Sequence, residues 1–200
     1  MPFNSTPETS TAILFAGGKS SRMGRDKSLL PFGGYDTLCE YQFQRLRKLF
    51  KKIYISTKEQ KFGFDAPLIF DRYPQSSPLV GLISVFETIS EDECFILSVD
   101  APFVDEAVIK KLYEEGRDPA YNAIIAQSPE GREPLCGIYR RSIIPYAKEF
   151  LAEENHRLNA LLRKANSHFV MFEEGTQFEN LNHTHEYEAA LKTIRSQSKK

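Results

Sequence analysis

From Thr11 onward, apolar runs with the character of strands alternate with segments whose apolar residues recur every three or four positions. This alternation is typical of α/β proteins, in which helices connect neighbouring strands and cover the sheet. We predict a three-layer, Rossmann-like α/β fold whose sheet is mainly parallel, with one antiparallel strand late in the chain. The predicted strands are 11–16, 52–56, 68–70, 94–99, 122–126, 135–139 and 168–172, and the predicted helices are 36–50, 79–89, 104–115, 142–152, 158–164 and 186–195.

A chain of 200 residues is long enough for one substantial core. We predict a single domain over 11–195, preceded by a disordered lead-in at 1–10 and followed by a solvated tail at 196–200. The segment 127–132 (QSPEGR) is predicted to be a polar turn between two strands.

The charged residues nearly balance, with 26 Lys and Arg against 27 Asp and Glu. No overall field draws such a chain to nucleic acid or to an anionic membrane, so neither is expected as a partner. Recognition of phosphate must then depend on a local cluster of cations.

The cysteines Cys39, Cys94 and Cys136 are odd in number and form no CxxC pair. This argues against a disulfide framework and a zinc site, and is typical of small buried hydrophobes in a reducing cytosol. No run approaches the roughly 20 apolar residues that span a bilayer. The N-terminus also lacks the basic start and apolar stretch of a signal peptide, so the expected location is the cytoplasm.

In open α/β sheets, ligands bind beyond the carboxyl ends of the strands. The loops after Ala16, Ser56, Phe70 and Val99 are therefore the places where a site is expected.

The segment 16–27 (AGGKSSRMGRDK) holds three glycines, four cations and a single acid. Glycines let the backbone approach a ligand, so that successive N–H groups converge on an anion. Arg offers a bidentate fork to phosphate oxygens, and Lys a compact charge. So many like charges repel one another unless an anion such as a triphosphate screens them. A flexible, solvated surface loop is the alternative.

Two common phosphate-binding patterns do not match this loop. A P-loop requires GxxxxGK[ST], whereas Gly24 is followed by Arg25 and Asp26, and the GxGxxG fingerprint of dinucleotide sites is absent. Neither pattern accounts for the cluster of cations.

The longer stretch 15–32 (FAGGKSSRMGRDKSLLPF) resembles the signature (L/F)AGGxSxRMGxDKxLL of the molybdenum cofactor guanylyltransferase family. That family belongs to a wider group of α/β nucleotidyltransferases, which includes sugar-1-phosphate and cytidylyl enzymes, and the RMG-x-DK spacing indicates the molybdopterin branch. The resemblance extends over most of 11–195, through FDRYP at 70–74, PLVGL at 78–82, VDAPF at 99–103, PLCGIY at 134–139 and NLN at 180–182.

The resemblance implies a nucleotidyltransferase fold and a set of residues that bind the nucleotide. These residues are Phe15, Ala16, Gly17, Gly18, Lys27, Ser56, Asp71 and Asp100. Ser56 stands where the family has a base-contacting asparagine, and Asp100 matches the family's Mg²⁺ ligand. Lys27 and Arg22 are expected to bind triphosphate oxygens, so Arg22, Lys27 and Asp100 are the implied catalytic residues.

The residue types alone leave alternatives open for several of these positions. Asp100 ends a run of largely apolar residues, which suits a hard divalent cation, but it could instead cap the helix predicted from 104. Asp71 follows the third strand in the same way, and its alternative is a turn. Asn182 suits either a phosphate or metal-bound water, or a helix N-cap. Arg132 is a candidate phosphate contact for the second substrate.

The reaction implied by the resemblance is transfer of GMP from GTP to the terminal phosphate of a molybdopterin-type cofactor, with release of pyrophosphate and with Mg²⁺ as the cofactor. The acceptor is already an anionic nucleophile, so positioning and charge neutralisation suffice without a general base. Transient contacts with other cofactor-biosynthesis proteins are expected. A cytidylyl- or sugar-nucleotidyltransferase stays open as an alternative, as does a nucleotide-binding regulatory module without catalysis.

Overall fold

A computed structural model describes residues 10–17 and 26–197 of the chain. Its centre is a sheet of seven strands, in the order β3-β2-β1-β4-β6-β5-β7. In chain order the strands are β1 (Thr11–Phe15), β2 (Lys52–Thr57), β3 (Leu68–Phe70), β4 (Glu93–Ser98), β5 (Ala123–Ser128), β6 (Gly131–Arg140) and β7 (Ser167–Met171).

Most neighbouring strands run parallel. β1 pairs in parallel with β2 and β4, β2 with β3, and β5 with β7. Only β6, among the described strands, runs antiparallel to its neighbours, β4 and β5. The prediction of a mainly parallel sheet with a late antiparallel strand is confirmed.

Helices cover both faces of the sheet. They are α1 (Leu38–Leu46), α2 (Pro78–Thr88), α3 (Glu106–Glu115), α4 (Ile144–Ala152), α5 (Leu158–Lys164) and α6 (Thr184–Gln197). Successive side chains of a strand point to opposite faces, so in β1 Ala12 and Leu14 pack in one apolar cluster while Ile13 and Phe15 pack in the other. The first cluster also receives α1, α3 and α6, and the second receives α2, α4 and α5. The result is the predicted three-layer arrangement.

Side-chain caps set the starts of three helices. Thr37 accepts a hydrogen bond from Glu40 N at 3.0 Å before α1, and Ser77 accepts one from Val80 N at 3.3 Å before α2. Before α3 the cap is Asp105, whose Oδ1 accepts from Val108 N at 3.0 Å. The cap of this helix is therefore not Asp100, and that alternative for Asp100 is excluded.

Two regions differ from the prediction by several residues. Helix α1 is shorter than the predicted 36–50, because Thr37 caps its start and hydrogen-bonded turns follow it from Arg47. The polar turn predicted at 127–132 is wrong for all but residues 129 and 130, since β5 and β6 continue to Ser128 and from Gly131. Antiparallel pairing satisfies the backbone there, so the strands extend past the apolar core.

Several further expectations can be placed on the structure. The cysteines are buried and free. No helix within 10–17 and 26–197 combines the length and apolar character needed to cross a membrane. The division into a lead-in at 1–10, a domain at 11–195 and a tail at 196–200 stays a prediction, since 1–9 and 198–200 lie outside the described residues.

Candidate active site

The carboxyl ends of β1, β2, β3 and β4 lie side by side, because these four strands are parallel neighbours. Backbone hydrogen bonds continue past the ends of the strands. Ala16 N donates to Ser56 O at 2.9 Å, and Val99 N donates to Phe15 O at 2.9 Å. Four loops predicted to carry ligands therefore begin along one edge of the sheet.

The first cavity at this edge has a volume of about 390 Å³. The residues that line it include Phe15, Gly17, Ser56, Asp71, Pro78 and Gly81. Four of them were predicted from the sequence to bind nucleotide: Phe15, Gly17, Ser56 and Asp71. Ala16 lies between two of these residues and is itself buried.

Close packing of α2 against β1 and β2 shapes the wall of the first cavity. A Cβ atom at Gly81 would lie 3.0 Å from Phe15 Cε2 and 3.3 Å from Ser56 Oγ. Glycine therefore permits the approach of the helix to the strand ends, and a methyl group at this position would crowd both side chains.

Asp71 brings a half-buried carboxyl group to the first cavity. Its backbone N donates to Thr57 O at 3.2 Å, which holds the residue at the end of β3. Burial raises the pKa of the Asp71 carboxyl, and the positive charge of Lys58, which also lines the cavity, offsets part of that rise. Hydrogen bonds donated by a ligand would therefore stabilise the ionised form of this carboxyl group.

A cluster of polar side chains lies at the end of β4, and we call it the Lys27 centre. Lys27 Nζ donates to Asp100 Oδ2 at 2.6 Å and to Asn182 Oδ1 at 3.1 Å. Ser98 Oγ donates to Asp100 Oδ1 at 2.5 Å and orients the carboxylate. Only 15% of the Lys27 side chain and 18% of the Asp100 side chain are exposed, so solvent screens the pair weakly. Three residues that the sequence selected separately thus form one group.

The loop before α6 brings Asn182 to this centre. Leu181 N donates to Asp100 O at 2.9 Å. Glu186, in the first turn of α6, binds the two residues before the helix, because its Oε2 accepts from Asn182 N at 2.6 Å and from His183 N at 2.7 Å. The side-chain oxygen of Asn182 bonds Lys27 and not the start of the helix.

A second ion pair lies at the two described ends of the cation-rich loop. Lys61 Nζ donates to Asp26 Oδ2 at 2.6 Å and to Ala16 O at 3.0 Å. It therefore joins the two described ends of the loop. Burial alone raises the pKa of Asp26, but hydrogen bonds from Lys61 and Ser28 and the charge of Lys61 outweigh burial and lower it. The predicted site residues Gly18 and Arg22 belong to 18–25 and lie outside the described residues.

A second cavity, of about 510 Å³, adjoins the first. Asp100 and Asn182 line it, together with Glu133 and His156, and Pro78 lines both cavities. Ser77, which lines the first cavity, bonds His156 Nδ1 through its Oγ at 2.9 Å. Both volumes are typical of pockets for small ligands. Two ligands could therefore bind next to each other beside the Lys27 centre.

Arg132 lies apart from this arrangement. Its guanidinium carbon is 4.0 Å from the centroid of the Phe169 ring, a cation–π contact on the sheet. Among the described residues that line the two cavities, Arg132 does not occur. Its role as a phosphate contact stays a prediction.

Sequence reasoning missed several residues of the site. They are Lys58, Lys61, Ser77, Gly81, Glu133 and His156. Gly81 could have been found, because it lies in the PLVGL segment that carries the resemblance. Within the described ranges, no three His, Cys, Asp or Glu side chains are grouped to hold a metal ion.

Comparison with known proteins gives consistent matches over this fold and site. A model of the MobA-like NTP transferase domain matches residues 12–169. Molybdenum cofactor guanylyltransferase from Campylobacter jejuni is 36% identical over 185 residues, 92% of this chain and 96% of that protein. The protein of the same name from Helicobacter pylori is 33% identical over 192 residues, 93% of this chain and 94% of that protein.

The fold also has close counterparts among solved structures. Molybdopterin-guanine dinucleotide biosynthesis protein A from Archaeoglobus fulgidus superposes with a TM-score of 0.80 at 19% sequence identity. The superposition covers 93% of this chain and 99% of that one. At this level of identity the likeness concerns the fold.

Proposed function

The chain belongs to the family of MobA-like NTP transferase domains, and from that premise we propose that it transfers GMP from GTP to the terminal phosphate of a molybdopterin cofactor, releasing pyrophosphate. The observation that carries this proposal is the pair of adjoining cavities at the carboxyl ends of the parallel strands, with the Lys27 centre beside them. A group transfer between two small molecules requires such an arrangement, because donor and acceptor must be held in contact.

The nucleoside of GTP is assigned to the first cavity and its triphosphate to the cation-rich loop. The backbone of Phe15, Ala16 and Gly17 lies against the ligand, and Lys27 binds phosphate oxygens. We assign the carboxyl group of Asp71 to the adjacent N–H and amino donors of guanine, which match two carboxylate oxygens. Ser56, with its small side chain, leaves that edge of the base to Asp71.

Asp100 and Asn182 form a donor set that fits Mg²⁺. Their oxygen atoms already converge on one cation, the ammonium group of Lys27, at 2.6 Å and 3.1 Å. Carboxylate and amide oxygens are hard ligands, and Mg²⁺ is commonly held by one or two such groups together with water and substrate phosphate. The bound ion would supply positive charge to the phosphate oxygens around the reacting phosphorus.

The side chains of the protein position the reactants for an in-line displacement. An oxygen of the acceptor's terminal phosphate forms a bond to the α-phosphorus of GTP, and the bond from that phosphorus to the bridging oxygen of the β-phosphate breaks. The electron pair of the broken bond leaves with pyrophosphate. Lys27 stabilises the charge that grows on the phosphates, and no side chain needs to remove a proton, because the acceptor oxygen is already anionic.

The test is an assay of the purified protein with GTP, molybdopterin and Mg²⁺, in which pyrophosphate and the dinucleotide product are both measured. Equal amounts of the two products are expected, and omission of either molybdopterin or Mg²⁺ should abolish both. CTP, ATP and UTP in place of GTP form the selectivity series, and GTP should be preferred. Equal use of CTP would reduce the assignment to a nucleotidyltransferase without base preference. Nucleotide binding without transfer would indicate a regulatory module.

Two wider statements rest on the same proposal. The reaction is placed in the cytoplasm, and the product is expected to pass to other proteins of cofactor biosynthesis through transient contacts. Both stay predictions.

A further inference from the structure

Glu133 contributes a second half-buried carboxylate to the site, in the second cavity. It lies on β6, close to the turn between β5 and β6. Its Oε1 accepts a hydrogen bond from Ser128 Oγ at 3.0 Å, a contact across the hairpin. Over the described part of the chain, no lysine, arginine or histidine pairs with this carboxylate, and Oε2 accepts no hydrogen bond.

The missing basic partner distinguishes Glu133 from Asp26 and Glu93, two other acids that are partly buried. Asp26 pairs with Lys61 at 2.6 Å, and Glu93 pairs with Arg140 at 3.1 Å. Withdrawing a carboxylate from water without such a partner is unfavourable. Burial raises the pKa of Glu133, and the hydrogen bond from Ser128 lowers it only in part. A ligand that supplies two hydrogen-bond donors would complete the contacts of this side chain.

The position of Glu133 within the second cavity limits which part of a ligand it can contact. The phosphate of the acceptor must reach the Lys27 centre, where Asp100 and Asn182 line the same cavity. A carboxylate facing that phosphate would repel it, so Glu133 must face an uncharged, donor-bearing end of the acceptor. This condition excludes an acceptor that is anionic along its whole length.

We propose that Glu133 recognises the adjacent N–H and amino donors of the acceptor's pterin ring and so determines acceptor specificity in the second cavity. The inference rests on the proposed function, since that function makes the acceptor a pterin. Guanine and pterin share the same pyrimidine edge, a ring N–H beside an exocyclic amino group. Each cavity correspondingly carries one half-buried carboxyl group without a close basic partner, Asp71 in the first and Glu133 in the second. Two parallel hydrogen bonds to a carboxylate provide both affinity and geometric selectivity.

The chain offers a matched control for a purely structural role of Glu133. Ser128 Oγ bonds both Glu133 Oε1 and Gly131 O, so Ser128→Ala removes the tie across the hairpin and keeps the carboxylate. Glu133→Gln keeps the shape of the side chain and removes the charge and one acceptor. An effect of ligand recognition appears in Glu133→Gln alone, whereas an effect on the hairpin appears in both variants.

The first measurement compares the binding of pterin with that of lumazine, in which a carbonyl replaces the amino group. Binding is detected by the fluorescence of each probe. The wild-type protein should bind pterin about tenfold more tightly than lumazine, because the lumazine carbonyl faces a carboxylate. Glu133→Gln should bind the two probes equally, since an amide can donate to the carbonyl, and Ser128→Ala should keep the preference. Equal binding of both probes by the wild type, or an unchanged preference in Glu133→Gln, would overturn the inference.

The second measurement is steady-state transfer with molybdopterin. Glu133→Gln should raise KM for molybdopterin by about tenfold or more and leave KM for GTP unchanged. Near-UV circular dichroism verifies the fold of each variant. Glu133→Asp keeps the charge but shortens the side chain, so its KM for molybdopterin should lie between those of the wild type and Glu133→Gln. An unchanged KM for molybdopterin overturns the inference alone. A wild-type protein that transfers nothing to molybdopterin overturns the proposed function. The probe-binding measurement does not require transfer, so it tests the role of Glu133 separately.

Discussion

Lys27 and Asp100 are 73 positions apart in the chain, and their side chains meet at 2.6 Å with little exposure to solvent. The cation of the loop and the acid at the end of β4 are thus paired directly. The pair holds the end of the loop next to the sheet. The free energy of interaction between the two side chains can be measured with a double-mutant cycle.

Lys27→Ala should lower the free energy of unfolding by about 1–3 kcal/mol, because it removes a charged partner from a carboxylate that is largely withdrawn from water. In the Asp100→Asn background the same substitution should cost much less, since the amide carries no charge. Urea unfolding of the two single variants and the double variant gives the coupling energy. Strictly additive effects would show that the pair contributes nothing to stability.

The affinity of Lys27→Ala for GTP should also fall, by roughly ten- to a hundredfold.

Asp100→Asn should retain the fold and lose about a hundredfold or more in the rate of guanylyl transfer. The amide keeps the shape of the side chain but is a poorer ligand for a hard dication. The start of α3 should be unaffected, because Asp105 caps it. The rate is measured across a Mg²⁺ titration, with Asp105→Asn as the control that alters the neighbouring acid. Normal turnover at low Mg²⁺ would remove Asp100 from the metal site.

The Asp26–Lys61 pair should give the protein a pH-dependent share of its stability. The folded-state pKa of Asp26 lies below its ordinary value of 3.8, so the stabilisation is present above that value. It is lost as the pH falls through the lowered folded-state pKa. Asp26→Asn should therefore be less stable than wild type by about 1 kcal/mol near neutral pH, and equally stable once Asp26 is protonated. Thermal unfolding against pH gives the comparison, and a constant difference down to strong acid would contradict the assignment.

Gly81→Ala should weaken nucleotide binding by about tenfold with little loss of stability. The added methyl group approaches Phe15 and Ser56 at 3.0 Å and 3.3 Å and narrows the first cavity. Replacing glycine by alanine inside a helix favours the helix by about 1 kcal/mol, which offsets the crowding. GTP titration and thermal unfolding measure the two effects. Gly63→Ala is the control, since its methyl group meets no atom within 4 Å, and equal GTP affinity in both variants would place the nucleotide elsewhere.

Much of the fold could be predicted from local pattern. The seven strands and six helices follow from apolar runs and apolar spacing, and their boundaries differ from the prediction by a few residues where caps or turns intervene. The resemblance selected Lys27, Asp71 and Asp100. In the structure Asp71 and Asp100 line the two cavities and Lys27 bonds Asp100, while the roles of the three residues stay predictions.

Contacts between distant segments could not be predicted in this way. Lys61 lies in a loop without a motif, and its bonds to Asp26 and Ala16 exist only because β1 and β2 are neighbours. Ser77 and His156, 79 positions apart, meet only after α2 and the α4–α5 connection pack together. A hydrogen bond of this kind leaves no periodic trace in the sequence, so only the folded chain reveals it.

Pro78 lines both cavities, and this shared wall has a consequence for the end of the reaction cycle. In the proposed binding mode, the dinucleotide makes the contacts of both substrates at the same time, with one part in each cavity. It therefore combines two sets of attractive contacts, while its binding costs the translational and rotational entropy of only one molecule. The protein should hold its own product more tightly than either substrate, and departure of the dinucleotide, not formation of the new phosphoanhydride, should limit turnover.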